Sequence, residues 1–156
     1  MRRARAVRLV CTYPEDPPLV LGRSDAETLT ALAIGAMLSR PREAGALLQE
    51  LRRATVVPDD RRPADAVGLN CTVRFLEDGA PGEAVLVLPG DAAPLRGRVS
   101  VMSNLGAGLI GLCAGQGIAW PDRMGGARML SVLQVSPPAG PSVHARADGW
   151  RGGRGL

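Results

Sequence analysis

Apolar residues change their spacing along this chain, and the change divides it. From Ser24 to Arg40, Leu29, Leu32, Ala33, Ala36 and Met37 recur at the three-and-four spacing of one helical face. Ser24 followed by Glu27 has the form of a capping box, which places a helix start there. Pro41 favours a break, and a second helix follows over Arg42–Thr55 with Ala44, Leu47, Leu48 and Leu51 on its apolar face. The tight connection at Ser39–Pro41 predicts that the two fold back as an antiparallel hairpin. Val57–Pro63 is polar and bounded by prolines, a linker. Beyond it the period becomes two. Val67, Leu69, Cys71, Val73 and Phe75 alternate with Gly68, Asn70, Thr72 and Arg74, which predicts a strand with one buried face. Asp78-Gly79 and Pro81-Gly82 supply a turn, and Glu83–Leu88 is the expected hairpin partner.

The stretch from Arg98 to Leu112 organises the second half. Val99 and Val101 alternate with Arg98 and Ser100, so Arg98–Met102 reads as a short strand. A turn at Ser103–Asn104 leads into a short helix over Leu105–Cys113, with Leu105, Leu109 and Leu112 on one face. Gly106, Gly108 and Gly111 match the spacing of a dinucleotide-binding loop. That reading needs a long helix after the glycines. Gly115-Gln116-Gly117 interrupts the chain almost at once, so the glycines are read instead as close approaches of helix to sheet. Gly115–Trp120, a turn at Asp122–Gly126 and a last strand over Arg128–Val135 complete the pattern.

The fold class is therefore α+β: an N-terminal antiparallel helical hairpin, then an antiparallel sheet carrying one short helix. The expected divisions are an irregular arm over 1–22, the hairpin over 23–57, a linker over 58–66, the sheet domain over 67–136 and a disordered tail over 137–156. Leu19-Val20-Leu21 in the arm is a short extended piece near the helix start.

Composition narrows the chemistry. With 156 residues, 46% of them hydrophobic and only 3% aromatic, the chain builds its core from Leu, Val and Ala. The formal charge of +4 is carried largely by arginines at the two ends, Arg2, Arg3, Arg5 and Arg8 and then Arg146, Arg151 and Arg154. Such ends are compatible with weak, non-specific nucleic-acid binding. Cys11, Cys71 and Cys113 are far apart and have no metal-ligand spacing; His144, the one histidine, lies in the tail. No metal, cofactor or catalytic residue is expected. No apolar run approaches the ~20 residues of a membrane span, and the opening lacks the apolar core of a secretory signal, so a cytoplasmic protein is expected.

Leu69-Asn70-Cys71-Thr72-Val73, the Arg98–Leu112 stretch and Gly115-Gln116-Gly117-Ile118 with Trp120-Pro121 and Gly125-Gly126 resemble the C-terminal domain of the Gre transcript-cleavage factors. The Gly-Gln and Trp-Pro elements are most similar to the Rnk branch of that family, the regulators of nucleoside diphosphate kinase. The resemblance is strong over Val67–Val135 and loose in the helices. It implies an FKBP-like C-terminal domain, an N-terminal coiled coil, and docking on the bacterial RNA polymerase core at the rim helices of the secondary channel. The family's docking triplet, an Asp-Ser-Pro-like turn, falls on Met102, Ser103 and Asn104, of which Ser103 is kept. Gre factors also carry paired carboxylates at the coiled-coil tip. Here the tip reads Ser39, Arg40, Pro41, Arg42 and Glu43, one acid among basic neighbours. Glu43 early in a helix complements the helix dipole. The expectation is a polymerase binder without cleavage activity. Two alternatives stand beside it: a nucleic-acid-binding protein acting through its basic ends, and a peptidyl-prolyl isomerase suggested by the implied fold, which would need more aromatics than Phe75 and Trp120.

Overall fold

The computed structural model describes residues 17–122 and 124–138. The arginine-rich start, Cys11, and the tail with His144 lie outside the described residues. The fold is α+β. In order it has β1 (Leu19–Gly22), α1 (Arg23–Ala36), α2 (Pro41–Arg53), β2 (Ala54–Val57), β3 (Thr72–Glu77), β4 (Ala80–Val87), β5 (Arg98–Ser100), α3 (Asn104–Leu109), β6 (Gly117–Pro121) and β7 (Ala127–Ser136), with short 3-10 turns between some of them.

The helix pair is bracketed by strands that the local pattern does not announce. β1 pairs in parallel with β2, Leu19 opposite Ala54 and Gly22 opposite Val57. Ala54 and Thr55 thus end the second helix earlier than its apolar face suggests, and residues 19–22 are not irregular. Leu19 and Leu21 are almost wholly buried. The backbone of Val20 donates to Gly111 O at 3.0 Å, which ties this strand pair to the chain leaving α3. α1 starts one residue before Ser24, on an extended Gly22, and no side chain of its own caps it. The expected capping box does not form. Asp59 takes its place: it accepts from the backbone N–H of Ser24 at 3.0 Å and from the Ser24 hydroxyl. α1 closes at Ala36, whose carbonyl accepts from Arg40 N at 2.8 Å, and Pro41 opens α2 where its missing N–H costs nothing.

The main sheet has the order β5-β4-β3-β7-β6. It is mixed rather than antiparallel throughout, because β5 runs parallel to β4 at one edge. The hairpin turns on Asp78-Gly79 alone, both with positive φ (49° and 83°), the geometry that follows the twist of the strands it joins. Pro81 and Gly82 lie inside β4. Proline is tolerated there because β5 covers only the far end of that strand, Val85–Val87. Gly82 faces Phe75, whose ring stands 2.6 Å from where a Cβ would be.

The alternation from Val67 to Phe75 is only partly one strand. β3 begins at Thr72, and Asn70 has φ 63°, which breaks the extended run. Val67 instead exchanges backbone bonds with the end of the α3 segment: its N–H donates to Leu112 O at 2.8 Å and its carbonyl accepts from Gly111 N at 3.0 Å. One hydrophobic cluster fills the interior. Leu29, Ala33, Ala44 and Leu47 from the helix pair join Val73, Phe75, Leu86, Ile118, Leu130 and Val132 from the sheet and Ala107 and Leu109 from α3. Burial of each such leucine contributes about 1.5–3 kcal/mol, so the helix pair is held by the same core as the sheet.

Candidate functional site

The connection from β5 to α3 is built by serines. Ser100 Oγ accepts from Met102 N at 3.1 Å, and its carbonyl accepts from both Ser103 N at 3.0 Å and Ser103 Oγ at 2.6 Å. Ser103 is the N-cap of α3: its Oγ also accepts from Gly106 N at 3.0 Å, satisfying one of the helix's free donors. Asn104 reaches across with Nδ2 to Pro121 O at 2.9 Å, fastening the turn to the end of β6. Two glycines let α3 lie close to its neighbours. A Cβ on Gly106 would run into the backbone of Ser100, and one on Gly108 would stand 2.7 Å from Leu130 and 3.0 Å from Trp120. α3 has only six residues. The spacing that imitates a dinucleotide loop is thus a packing device.

Of the expected docking triplet, Met102 is buried at 4% exposure and belongs to the core, whereas Ser103 and Asn104 are half-buried. Those two form a ridge between two clefts. The first cleft, about 580 Å³, is lined by Arg42, Glu43 and Ala46 of α2, by Met102, Ser103, Asn104 and Ala107, and by Trp120, Pro121 and Asp122. The second, about 420 Å³, is lined by Ala92, Pro94, Val99, Ser100, Ser103, Asn104, Leu105 and Arg128. Arg128 is ion-paired with Glu77.

The tip residues separate. Ser39 and Arg40 are exposed at the connection between the helices, beside a Leu38 that is 99% exposed. Arg42 and Glu43, also exposed, line the first cleft opposite the α3 turn. What the sequence presents as two distant features, tip and docking turn, the tertiary structure therefore joins along one wall. Trp120 and Asp122 complete that wall; the Trp-Pro element marked the former, and the sequence marked the latter only as the start of a turn. Asp122 Oδ1 accepts from Met124 N and Gly126 N and is committed to its own turn. Trp120 is 7% exposed, and its Nε1 is buried without a hydrogen-bond partner among the described residues.

Among the described residues no three His, Cys, Asp or Glu side chains come together as a metal site would require. Cys71 and Cys113 are free; burial pushes the Cys113 thiol up from its ordinary range, with Asp65 adding to the effect. No helix among the described residues is long and apolar enough to cross a membrane.

Residues 62–137 match the family model of the transcription elongation factor GreA/GreB C-terminus, and residues 17–57 match the Rnk N-terminus. The regulator of nucleoside diphosphate kinase of Escherichia coli K12 is 34% identical over 126 residues, which span 76% of this chain and 89% of that protein. The chain belongs to the GreA/GreB family, in its Rnk branch. The corresponding regulator of Shigella flexneri is similar to the same extent. Among solved structures, a prokaryotic transcription elongation factor GreA/GreB from Nitrosomonas europaea superposes with a TM-score of 0.62 at 29% identity, over 76% of this chain and 99% of that one. The boundary between the two family matches falls after β2, so the β1–α1–α2–β2 unit corresponds to the Rnk N-terminus and the main sheet with α3 to the Gre part.

Proposed function

We propose that this Rnk-type protein is a cytoplasmic transcription regulator. It docks on the bacterial RNA polymerase core at the rim helices of the secondary channel and does not stimulate transcript cleavage. The observation that supports the docking half is the hydrogen-bonded ridge at Ser103–Asn104, two of the three residues that the sequence resemblance aligns with the family's docking triplet. Its hydrogen bonds to Ser100 and Pro121 hold it in one shape before any partner arrives. Met102 supports the ridge from within the core. On this reading residues 67–136 form an FKBP-like docking part, and the helix pair is the counterpart of the coiled coil.

The lack of cleavage rests on the tip. Recruitment of a second catalytic Mg²⁺ needs several oxygen ligands presented together. The helix connection and the first turn of α2 offer a single acid, Glu43, directly after Arg40, Pro41 and Arg42, where the helix dipole favours it. Two assays test the reading: competition with a Gre factor for core polymerase, and cleavage of a backtracked transcript with Mg²⁺. Competition without cleavage is expected. Cleavage that depends on Glu43 would overturn the tip argument, and absence of binding would overturn docking.

A further inference from the structure

Two groups around the first cleft are placed at a disadvantage in the isolated protein. Arg42 is in the first turn of α2, where unpaired helix N–H groups disfavour a cation, and it has no hydrogen bond or ion pair among the described residues. Trp120 Nε1 is a buried donor with nothing to donate to, and it is the only such side-chain atom among the described residues. Both residues line the cleft whose opposite edge is the Ser103–Asn104 ridge. Each is explained if a partner supplies what the free protein lacks. Resting on the docking reading above, we propose that this cleft is the second half of the docking surface and receives a protein segment of the polymerase, whose carboxylate meets Arg42 and the Trp120 indole N–H while a neighbouring cation meets Glu43.

The charges argue against a nucleic acid here. Glu43 and Asp122 line the same cleft as Arg42, so a run of phosphates meets two acids for one base, whereas a protein surface with an acid beside a base matches the wall. Asp122 Oδ1 accepts from Met124 N and Gly126 N, which fixes this carboxylate at the edge of the cleft. Nε1 is closed to water in the free protein, so on this proposal an acceptor reaches it only with a rearrangement of the cleft wall. Arg42 and Glu43 are exposed and unpaired among the described residues, so their side chains are free to turn toward a partner.

The test uses the full chain and core RNA polymerase, with binding read by fluorescence anisotropy of a labelled protein. Arg42→Gln and Trp120→Phe are each expected to weaken binding about tenfold or more, as loss of a buried donor or a charge partner does. The exchange R42E/E43R keeps the net charge and is expected to do the same. Arg42→Gln should melt no lower than the wild type. If Trp120→Phe melts lower, the two α2 variants carry the test. Ser103→Asp serves as the control for the ridge. Loss of binding in Ser103→Asp with wild-type binding in all three cleft variants overturns this inference and leaves the docking reading intact. No binding by the wild type overturns both. Binding of a short RNA that is lost in Arg42→Gln overturns the assignment of a protein partner.

Discussion

Ser103 does two jobs whose chemistry can be separated by substitution. Its Oγ caps α3 through Gly106 N, and its exposed side forms part of the ridge between the clefts. Ser103→Ala removes the cap and is expected to cost about 0.5–2 kcal/mol in chemical denaturation. Ser103→Asp retains a cap acceptor, so the domain is expected to stay folded while the added charge weakens competition for polymerase at least severalfold. A variant that unfolds instead would mean that the bond from Ser103 Oγ to Ser100 O dominates. Leu109 gives the complementary case, a residue with a structural role alone. It is fully buried, and Leu109→Ala is expected to lower stability by about 2–5 kcal/mol. A change under about 0.5 kcal/mol, the range of surface substitutions, would show the helix face to be misassigned.

At the scale of elements, the start of α1 shows how capping moves from local to distant groups. Asp59, from the segment after β2, is hydrogen-bonded to the Ser24 hydroxyl and backbone, and these bonds hold its carboxyl below the ordinary 3.8. Asp25, next in the helix, behaves in the opposite way. Burial raises its carboxyl above that value, against the Leu69 N–H at 3.1 Å and the Arg62 guanidinium at 3.3 Å. The signs follow by linkage. The Asp59 contribution is present above its unfolded pKa and is lost as pH falls through the lowered folded value. The Asp25 penalty is present at neutral pH and is relieved as pH falls through the raised one. Stability of Asp59→Asn is therefore expected to lie below wild type at neutral pH, with the gap closing under acid. Asp25→Asn should lose whatever advantage neutrality confers on it over the same descent. Urea titrations at several pH values read both. A deficit in Asp59→Asn that is independent of pH would remove the carboxylate from the cap.

For the whole molecule, one core spans the helix pair and the sheet. Leu47 on α2 is fully buried in it, as Leu130 on β7 is. Leu47→Ala is accordingly expected to shift unfolding of helix and sheet together, with a single midpoint by circular dichroism and by amide exchange in β3 and β7. Independent loss of the helix pair would show that the core is divided. The shared core also fixes the distance between α2 and the α3 turn. The cleft between them is therefore a property of the tertiary packing, and variants that loosen α2 should disturb the cleft wall as well as stability.

Much of this was legible in the residues. Helical periodicity located α1 and α2 within a few positions, because burial of one face is written locally at the three-and-four spacing. The glycines of Arg98–Leu112 announced a helix pressed against its neighbours, and Ser103 at its head is a cap by residue type. The motifs around Asn70, Gln116 and Trp120 placed the chain in its family. Other features depend on segments that meet only after folding. The parallel pairing of β1 with β2 joins stretches that flank two helices, and its short apolar run has no period of its own. The cap on α1 comes from Asp59 across the fold, although Ser24 and Glu27 spell a local one. Asn70, with positive φ, ends a strand that strict alternation extends to Val67. The meeting of Arg42 and Glu43 with Ser103, Asn104 and Trp120 in one cleft was decided by the packing of α2 onto the common core, since sequence separation carries no record of which surfaces a core brings face to face.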